Sequence, residues 1–281
     1  MISRFFTGSA WNYRSNDEVS SKMAFKKISF DLSGKIAVVI GGTRGIGRGI
    51  AVTLADHGAT VIPVSRTLEN AKKVVAEIES AGGTGMVSTL DVTDEKDLER
   101  LKKDVLMEFG GVDILVNSQG VEHRGYIKDY TYEDWRKVLS VNVDSVFSAT
   151  RIFGNAMIDA GKGGKIINVC SMASFLGLVE APAYTASKGA VLQFTKASAL
   201  EFAPYNIQVN GIAPGWFKTE LTQPVWDNKE LYDQIRKKIP LGDWGDVEEL
   251  GACAVYLASR ASNYVTGVTI PVDGGFLYNG A

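Results

Sequence analysis

The chain has 281 residues, of which 45% are apolar and 22% charged, with a formal net charge of −2. That is length enough for one sizeable α/β core and a composition ordinary for a globular protein. The near-balanced charge, without a long basic run, argues against a nucleic-acid or anionic-membrane partner, and no apolar stretch approaches the ~20 residues of a membrane span.

Residues 1–29 read as an N-terminal extension. The first fourteen carry Arg4 and Arg14, and no acid occurs before Asp17. Organelle transit peptides have this composition, and so do surface segments that pack on a core or a partner. Cytoplasmic location is the expectation, with a mitochondrion or another organelle as the alternative the extension leaves open. Residues 30–281 read as a single domain.

From Asp31 the pattern alternates. A short apolar run, 35–40, ends in glycines and reads as a buried strand. A helix follows over 46–57, stopped by Gly58. The next strand, 60–64, contains Pro63, which weakens a central ladder. Residues 67–81 place Ala71, Val74, Val75 and Ile78 at helical spacing before Gly82. Strands at 86–90 and 112–116 flank a helix at 94–109, and one long helical stretch runs through Trp135 toward Ala160. Strand 165–169, helix 183–202 and strand 207–212 follow. Asp246 and Glu249 predict a capping box on a late helix, and 267–272 is the last strand. Seven strands alternating with helices predict one α/β domain, a doubly wound parallel sheet with helices on both faces. Residues 216–244 break the alternation and read as a lid or substrate segment. Cys170 and Cys253 both lie in apolar runs and read as buried free thiols, which fits a reducing compartment. With His57 and His123 the only histidines, no metal site is expected.

Gly41, Gly42, Gly45 and Gly47 lie between the first strand and the first helix. There they permit a tight turn and let the backbone approach a pyrophosphate, whose charge the helix N-terminus favours. A plain glycine turn is the competing reading. This context makes the sheet Rossmann-type. The second strand ends at Ser65 and Arg66, with no carboxylate to bind an adenosine ribose or repel a 2′-phosphate. Arg66, and Arg44 in the glycine loop, can hold that phosphate by charge-assisted hydrogen bonds, so NADP(H) is expected over NAD(H).

Tyr184 and Lys188 are one helical turn apart and share a face. An ammonium beside a phenol favours the phenolate, so the pair suits proton transfer to or from an alcohol oxygen. Ser171 follows the fifth predicted strand, at the carboxyl edge where open α/β sheets bind ligands, and its hydroxyl can hydrogen-bond the substrate oxygen.

The spacing of Gly41, Gly45 and Gly47, the trio Ser171, Tyr184 and Lys188, and the closing Asp273-Gly274-Gly275 together resemble the short-chain dehydrogenase/reductase family over roughly residues 32–277. Asn142 matches the fourth member of the family's catalytic set, which holds a relay water beside the lysine. The resemblance implies a cofactor site of Gly41, Thr43, Arg44, Gly45, Ile46, Gly47, Ser65, Arg66, Asp91, Val92, Asn117, Ser118 and Gly120. It adds Tyr184, Lys188, Pro214, Gly215, Trp216, Phe217 and Thr219. Ile40 stands where the family has threonine, and Ser118 and Gln119 depart from its asparagine and alanine. Glu122, His123, Arg124, Glu180 and Trp216 are candidates for the substrate pocket, with a solvated rim as the alternative. The tail from Ala213-Pro214-Gly215-Trp216 through Ile239-Pro240-Leu241-Gly242 and Tyr264-Val265-Thr266-Gly267 is similar to that of gluconate 5-dehydrogenases and related sugar-acid dehydrogenases. Three readings therefore compete: a polyol or sugar-acid oxidoreductase, a 3-oxoacyl-thioester reductase, and a non-catalytic NADP(H)-binding regulator, which would not need the intact Ser/Tyr/Lys set. The face of Ala190, Val191, Phe194 and Ala197 packs on a partner subunit in relatives, implying a homotetramer or a homodimer.

Overall fold

The computed structural model describes residues 28–279; residues 1–27, most of the predicted extension, lie outside them. Eight strands among the described residues form one parallel sheet: β1 (Ile36–Ile40), β2 (Thr60–Ser65), β3 (Thr84–Gly85), β4 (Ser88–Thr89), β5 (Ile114–Asn117), β6 (Gly164–Val169), β7 (Ile207–Pro214) and β8 (Thr269–Val272). Their order is β3-β2-β1-β5-β6-β7-β8, with β4 also on β2.

The difference from the seven expected strands lies in the third, which is split into β3 and β4. Val61 pairs with Gly85 and Val64 with Ser88, so Pro63 faces the gap between the two pieces. Thr60 N donates to Lys35 O, on the β1 side. By strand alternation the nitrogen of Pro63 faces the third strand, where it has no hydrogen to give. The proline therefore interrupts the outer ladder and leaves the β1–β2 ladder whole, through Val39 opposite Pro63.

Alternate residues of the central strands feed two apolar layers. Ala37, Val39, Val61, Ile167 and Ile212 pack with helices α1 (Gly45–Asp56), α2 (Leu68–Ser80) and α9 (Val247–Ala258). Val38, Ile40, Ile62, Ile166 and Val209 pack with α3 (Glu95–Phe109), α5 (Ser145–Ala160) and α6 (Pro182–Phe202). Burial on both faces is why the strands read as continuous apolar runs. The late helix carries the predicted capping box of Asp246 and Glu249.

The long helix expected from Trp135 to Ala160 is interrupted. It comprises α4 (Tyr132–Leu139), a π-helical turn over Ser140–Asp144, and α5. The 216–244 segment holds two short helices, α7 (Gln223–Trp226) and α8 (Lys229–Arg236), and its Trp216, Tyr232 and Trp244 form an aromatic cluster that Phe276 joins from the chain's end. Both cysteines are free, Cys170 buried and Cys253 part-buried. No helix among the described residues is long and apolar enough to cross a membrane.

Candidate active site

Three chain segments converge beyond the carboxyl ends of β5 and β6. The π turn widens the helix by one residue, a distortion frequent at functional sites, and carries the fully buried Asn142. Its Oδ1 accepts from Val121 N at 2.8 Å, and its Nδ2 donates to Val121 O at 2.9 Å and to Ser187 Oγ at 3.0 Å. One side chain thus clamps the loop after β5 to α6. Lys188 is buried and donates from Nζ to Val169 O, the last residue of β6, at 2.8 Å. A β-carbon placed on Gly120 would lie 3.6 Å from both Asn142 Oδ1 and Lys188 Nζ, so this glycine borders the two groups.

Ser171 begins the turn after β6, where its Oγ accepts from Ala173 N at 3.1 Å. The hydroxyl hydrogen is left for a partner in the cleft, and the hydroxyl is near enough to the Tyr184 phenol to favour its ionised form. The Lys188 ammonium lies 5.8 Å from the centre of the Tyr184 ring. Burial pushes the phenol up to about 12, the Ser171 hydroxyl pulls it back, and the nearby Glu122 carboxylate raises it again. The sequence leads one to expect a phenol lowered by lysine; here desolvation outweighs every lowering contact. Burial also lowers Lys188, which has no carboxylate beside it.

The glycine loop fits a dinucleotide. Gly41 has φ +77°, and a β-carbon there would sit 2.9 Å from the backbone of Ser118 and Gln119; one on Gly47 would run into Gly41 O. Only glycine keeps this cradle open. At its floor α1 starts with Arg44 as N-cap, with no side-chain cap bond and no acid in the first turn, and Thr43 is buried beside it. Free N-terminal amides without a competing carboxylate are what a pyrophosphate needs. The Ile46 side chain packs on the α1 side of the sheet, and its backbone amide is among the first of the helix. Thr219 meets the loop from the other side, 3.2 Å from a β-carbon on Gly45.

The remaining predicted cofactor residues fall into two groups. β2 ends at Ser65, and the exposed Arg66 follows it, close to Asp91, whose carboxylate feels the Arg66 charge and accepts from Thr93 N and Thr93 Oγ1. The Val92 side chain is partly buried against the core, and Phe217 is a core side chain. Asn117 is fully enclosed in a ladder with Asn168 and Thr150, and Ser118 lines the floor under Gly47. Pro214 ends β7, and Gly215 packs against Asp273, from which a β-carbon would be 2.6 Å.

The substrate candidates separate. Glu122 and Arg124 are close enough to act on the Tyr184 phenol, with Arg124 Nε 3.1 Å from Glu122 Oε1. His123 turns away: its Nε2 is 3.6 Å from Asp134 on α4, and its ring meets Tyr130 edge-on at 5.2 Å. Glu180 has φ +62° and lines, with Tyr126, Val179 and Thr185, a cavity of about 440 Å³ that Ser171, Tyr184 and Lys188 do not line. Trp216 lies in the aromatic cluster, and its indole Nε1 is enclosed without a partner. Two residues escaped the sequence reading. Ser187 holds Asn142, and its only signal was its place within the Tyr184–Lys188 turn. Glu220 pairs with Arg44 Nη1 at 2.9 Å, 176 residues away, a separation no local pattern reveals.

A parallel sheet with a glycine cradle at one carboxyl edge and a Ser-Tyr-Lys group beside it defines the short-chain dehydrogenase/reductase family, and the chain belongs to it. A family model described as enoyl-(acyl carrier protein) reductase matches residues 40–277. Among its relatives is the 2-dehydro-3-deoxy-D-gluconate 5-dehydrogenase of Bacillus subtilis, 42% identical over 255 residues, spanning 91% of this chain and 99% of the relative. Another, the gluconate 5-dehydrogenase of Gluconobacter oxydans, is 38% identical over 88% of this chain and 96% of its own. The crystal structure of a gluconate 5-dehydrogenase from Burkholderia cenocepacia, in complex with NADP and tartrate, matches with a TM-score of 0.85 and 36% identity, over 89% of this chain and 97% of that one.

Proposed function

We propose that the chain is an NADP(H)-dependent oxidoreductase that interconverts a small secondary alcohol, a polyol or sugar acid, and its ketone, with Tyr184 as acid and base. The observation that carries the reading is the convergence of Ser171, Tyr184 and a buried, carboxylate-free Lys188 beyond the end of β6, with the Lys188 ammonium 5.8 Å from the Tyr184 ring centre and bonded to Val169 O. The relatives named for gluconate and its keto acids support the substrate class, and the NADP held by the Burkholderia protein supports the cofactor.

When bound, NADP(H) would supply or accept a hydride at its nicotinamide. Gly41, Gly45, Gly47 and the first amides of α1 would hold its pyrophosphate, and Arg44 and Arg66 would bind its 2′-phosphate, with no acid at the end of β2. Ser171 donates a hydrogen bond to the substrate oxygen. In reduction Tyr184 gives its proton to that oxygen as negative charge builds there; in oxidation the phenolate takes the proton back. Lys188 stabilises the phenolate, and Asn142 keeps the adjoining loop and helix in register. The exposed Ala190 and Ala197 on α6, with Phe147 and Leu200 exposed near them, support a homotetramer or a homodimer; Val191, expected on that face, is buried in the core.

Nicotinamide absorbance against a panel of polyols, sugar acids and 3-oxoacyl thioesters tests the reading. NADP(H)-linked turnover of a polyol or sugar acid is expected; turnover of acyl thioesters alone, or of nothing on the panel, overturns it. Replacing Arg44 and Arg66 together by alanine should raise KM for NADPH by about tenfold or more and leave that for NADH nearly unchanged.

A further inference from the structure

The substrate end of the cleft contains a charge that the redox chemistry does not require. Glu122 lies in the loop after β5 that Asn142 clamps at Val121. Its side chain is 13% exposed, and its Oε1 is enclosed without an in-line hydrogen bond. Arg124 Nε is 3.1 Å from that oxygen, and the Arg124 side chain is 51% exposed, so the guanidinium faces solvent on one side and the carboxylate on the other. The titratable groups around Glu122 are the Arg124 guanidinium from the same loop and the neutral Tyr184 phenol from α6, while Tyr130, before α4, feels both Glu122 and Asp134. Arg124 is thus the one cation among these groups, and Glu122 already offsets it.

We propose, building on the reading above, that Glu122 is a specificity-determining residue: by neutralising Arg124 it fits the cleft to an uncharged polyhydroxy chain, a polyol or its ketose, and disfavours a chain ending in a carboxylate. A buried carboxylate and a guanidinium present an acceptor next to donors, which suits hydroxyl groups that donate to one and accept from the other. A carboxylate ligand meets Arg124 only by coming up against Glu122, and like charges brought together in a desolvated site repel strongly. The same arrangement explains why a carboxylate is kept near Tyr184, where it opposes ionisation of the phenol.

A matched pair of substrates isolates the effect: a hexitol and the hexonate of the same configuration, differing only in a terminal CH₂OH or carboxylate. The native protein is expected to give the higher kcat/KM with the hexitol. Glu122→Gln keeps the shape and removes the charge, and should shift the hexonate-to-hexitol ratio of kcat/KM toward the acid by about tenfold or more. Adding Arg124→Gln should erase that gain. A general loss of structure lowers both substrates together and produces no gain for either. Native preference for the hexonate overturns the proposal, and so does a ratio that Glu122→Gln leaves unchanged. If neither compound is turned over with NADP, the broader substrate reading fails and this inference falls with it.

Discussion

Strand β6 has a buried lysine amine at each end, and the two are held differently. At its start Lys165 belongs to the strand itself, and its Nζ contacts Ser262 Oγ at 3.2 Å and Asn263 Oδ1 at 3.1 Å. At its end Lys188 comes from α6 and donates to Val169 O, with Tyr184, Asn142 and Gly120 around it. Burial lowers both amines, Lys165 to about 8, and neither has a carboxylate partner. Depressed basicity alone therefore does not mark a catalytic group. What sets Lys188 apart is its place at the carboxyl edge of the sheet, next to a phenol and a glycine cradle, where an open α/β sheet receives ligands. Lys165 sits at the opposite edge, between side-chain acceptors that hold it in the fold.

The largest effect expected from this contrast is on the phenol that Lys188 serves. Tyr184→Phe should lower kcat by about 10³-fold or more while the Kd for NADPH, followed by fluorescence, stays within about threefold of native. Near-native turnover would remove Tyr184 from the chemistry. Lys188→Met should follow, with kcat down by about 10²-fold, because the phenolate loses the neighbouring positive charge. The pH profile gives a smaller, graded effect. A phenol at about 12 is protonated at neutral pH, so the proton donor for ketone reduction is in place. Oxidation needs the phenolate, whose fraction rises about tenfold per pH unit below that value. Oxidation kcat/KM is expected to climb from pH 7 to 10 while reduction stays flat; identical profiles in both directions would contradict a common acid-base phenol.

The same contrast explains how much was legible beforehand. Tyr184 and Lys188 could be read because one helical turn fixes their relation, and the Gly41–Gly47 loop because a tight turn demands those glycines. The parallel sheet followed from apolar runs buried on both faces. The split of the third strand required knowing that the Pro63 nitrogen faces outward, a matter of register that no single segment carries. The π turn arises from Asn142 reaching Val121 and Ser187, contacts 21 and 45 residues distant. The Arg44–Glu220 pair and the Glu122–Arg124 pair beside Tyr184 likewise depend on how separate loops meet. Lys165 gave no signal at all, since one lysine at the start of an apolar run reads as a strand end in solvent.

The smallest effect on turnover is expected from Lys165→Met, which should change kcat by less than about twofold because Lys165 touches none of the reacting groups. Its signature lies in stability instead. The folded amine is at about 8 and the free amine near 10.5. Between those values the unfolded chain binds more protons, so this group makes the native protein more stable as pH rises. The methionine variant lacks that gain. Urea unfolding from pH 7 to 10.5 should therefore show the native protein improving relative to the variant by up to roughly 3 kcal/mol, since each pH unit between the two values corresponds to about 1.4 kcal/mol. A pH-independent difference would mean that the amine is as basic in the fold as in water. A fall in kcat comparable to that of Lys188→Met would instead remove the distinction between the two ends of β6.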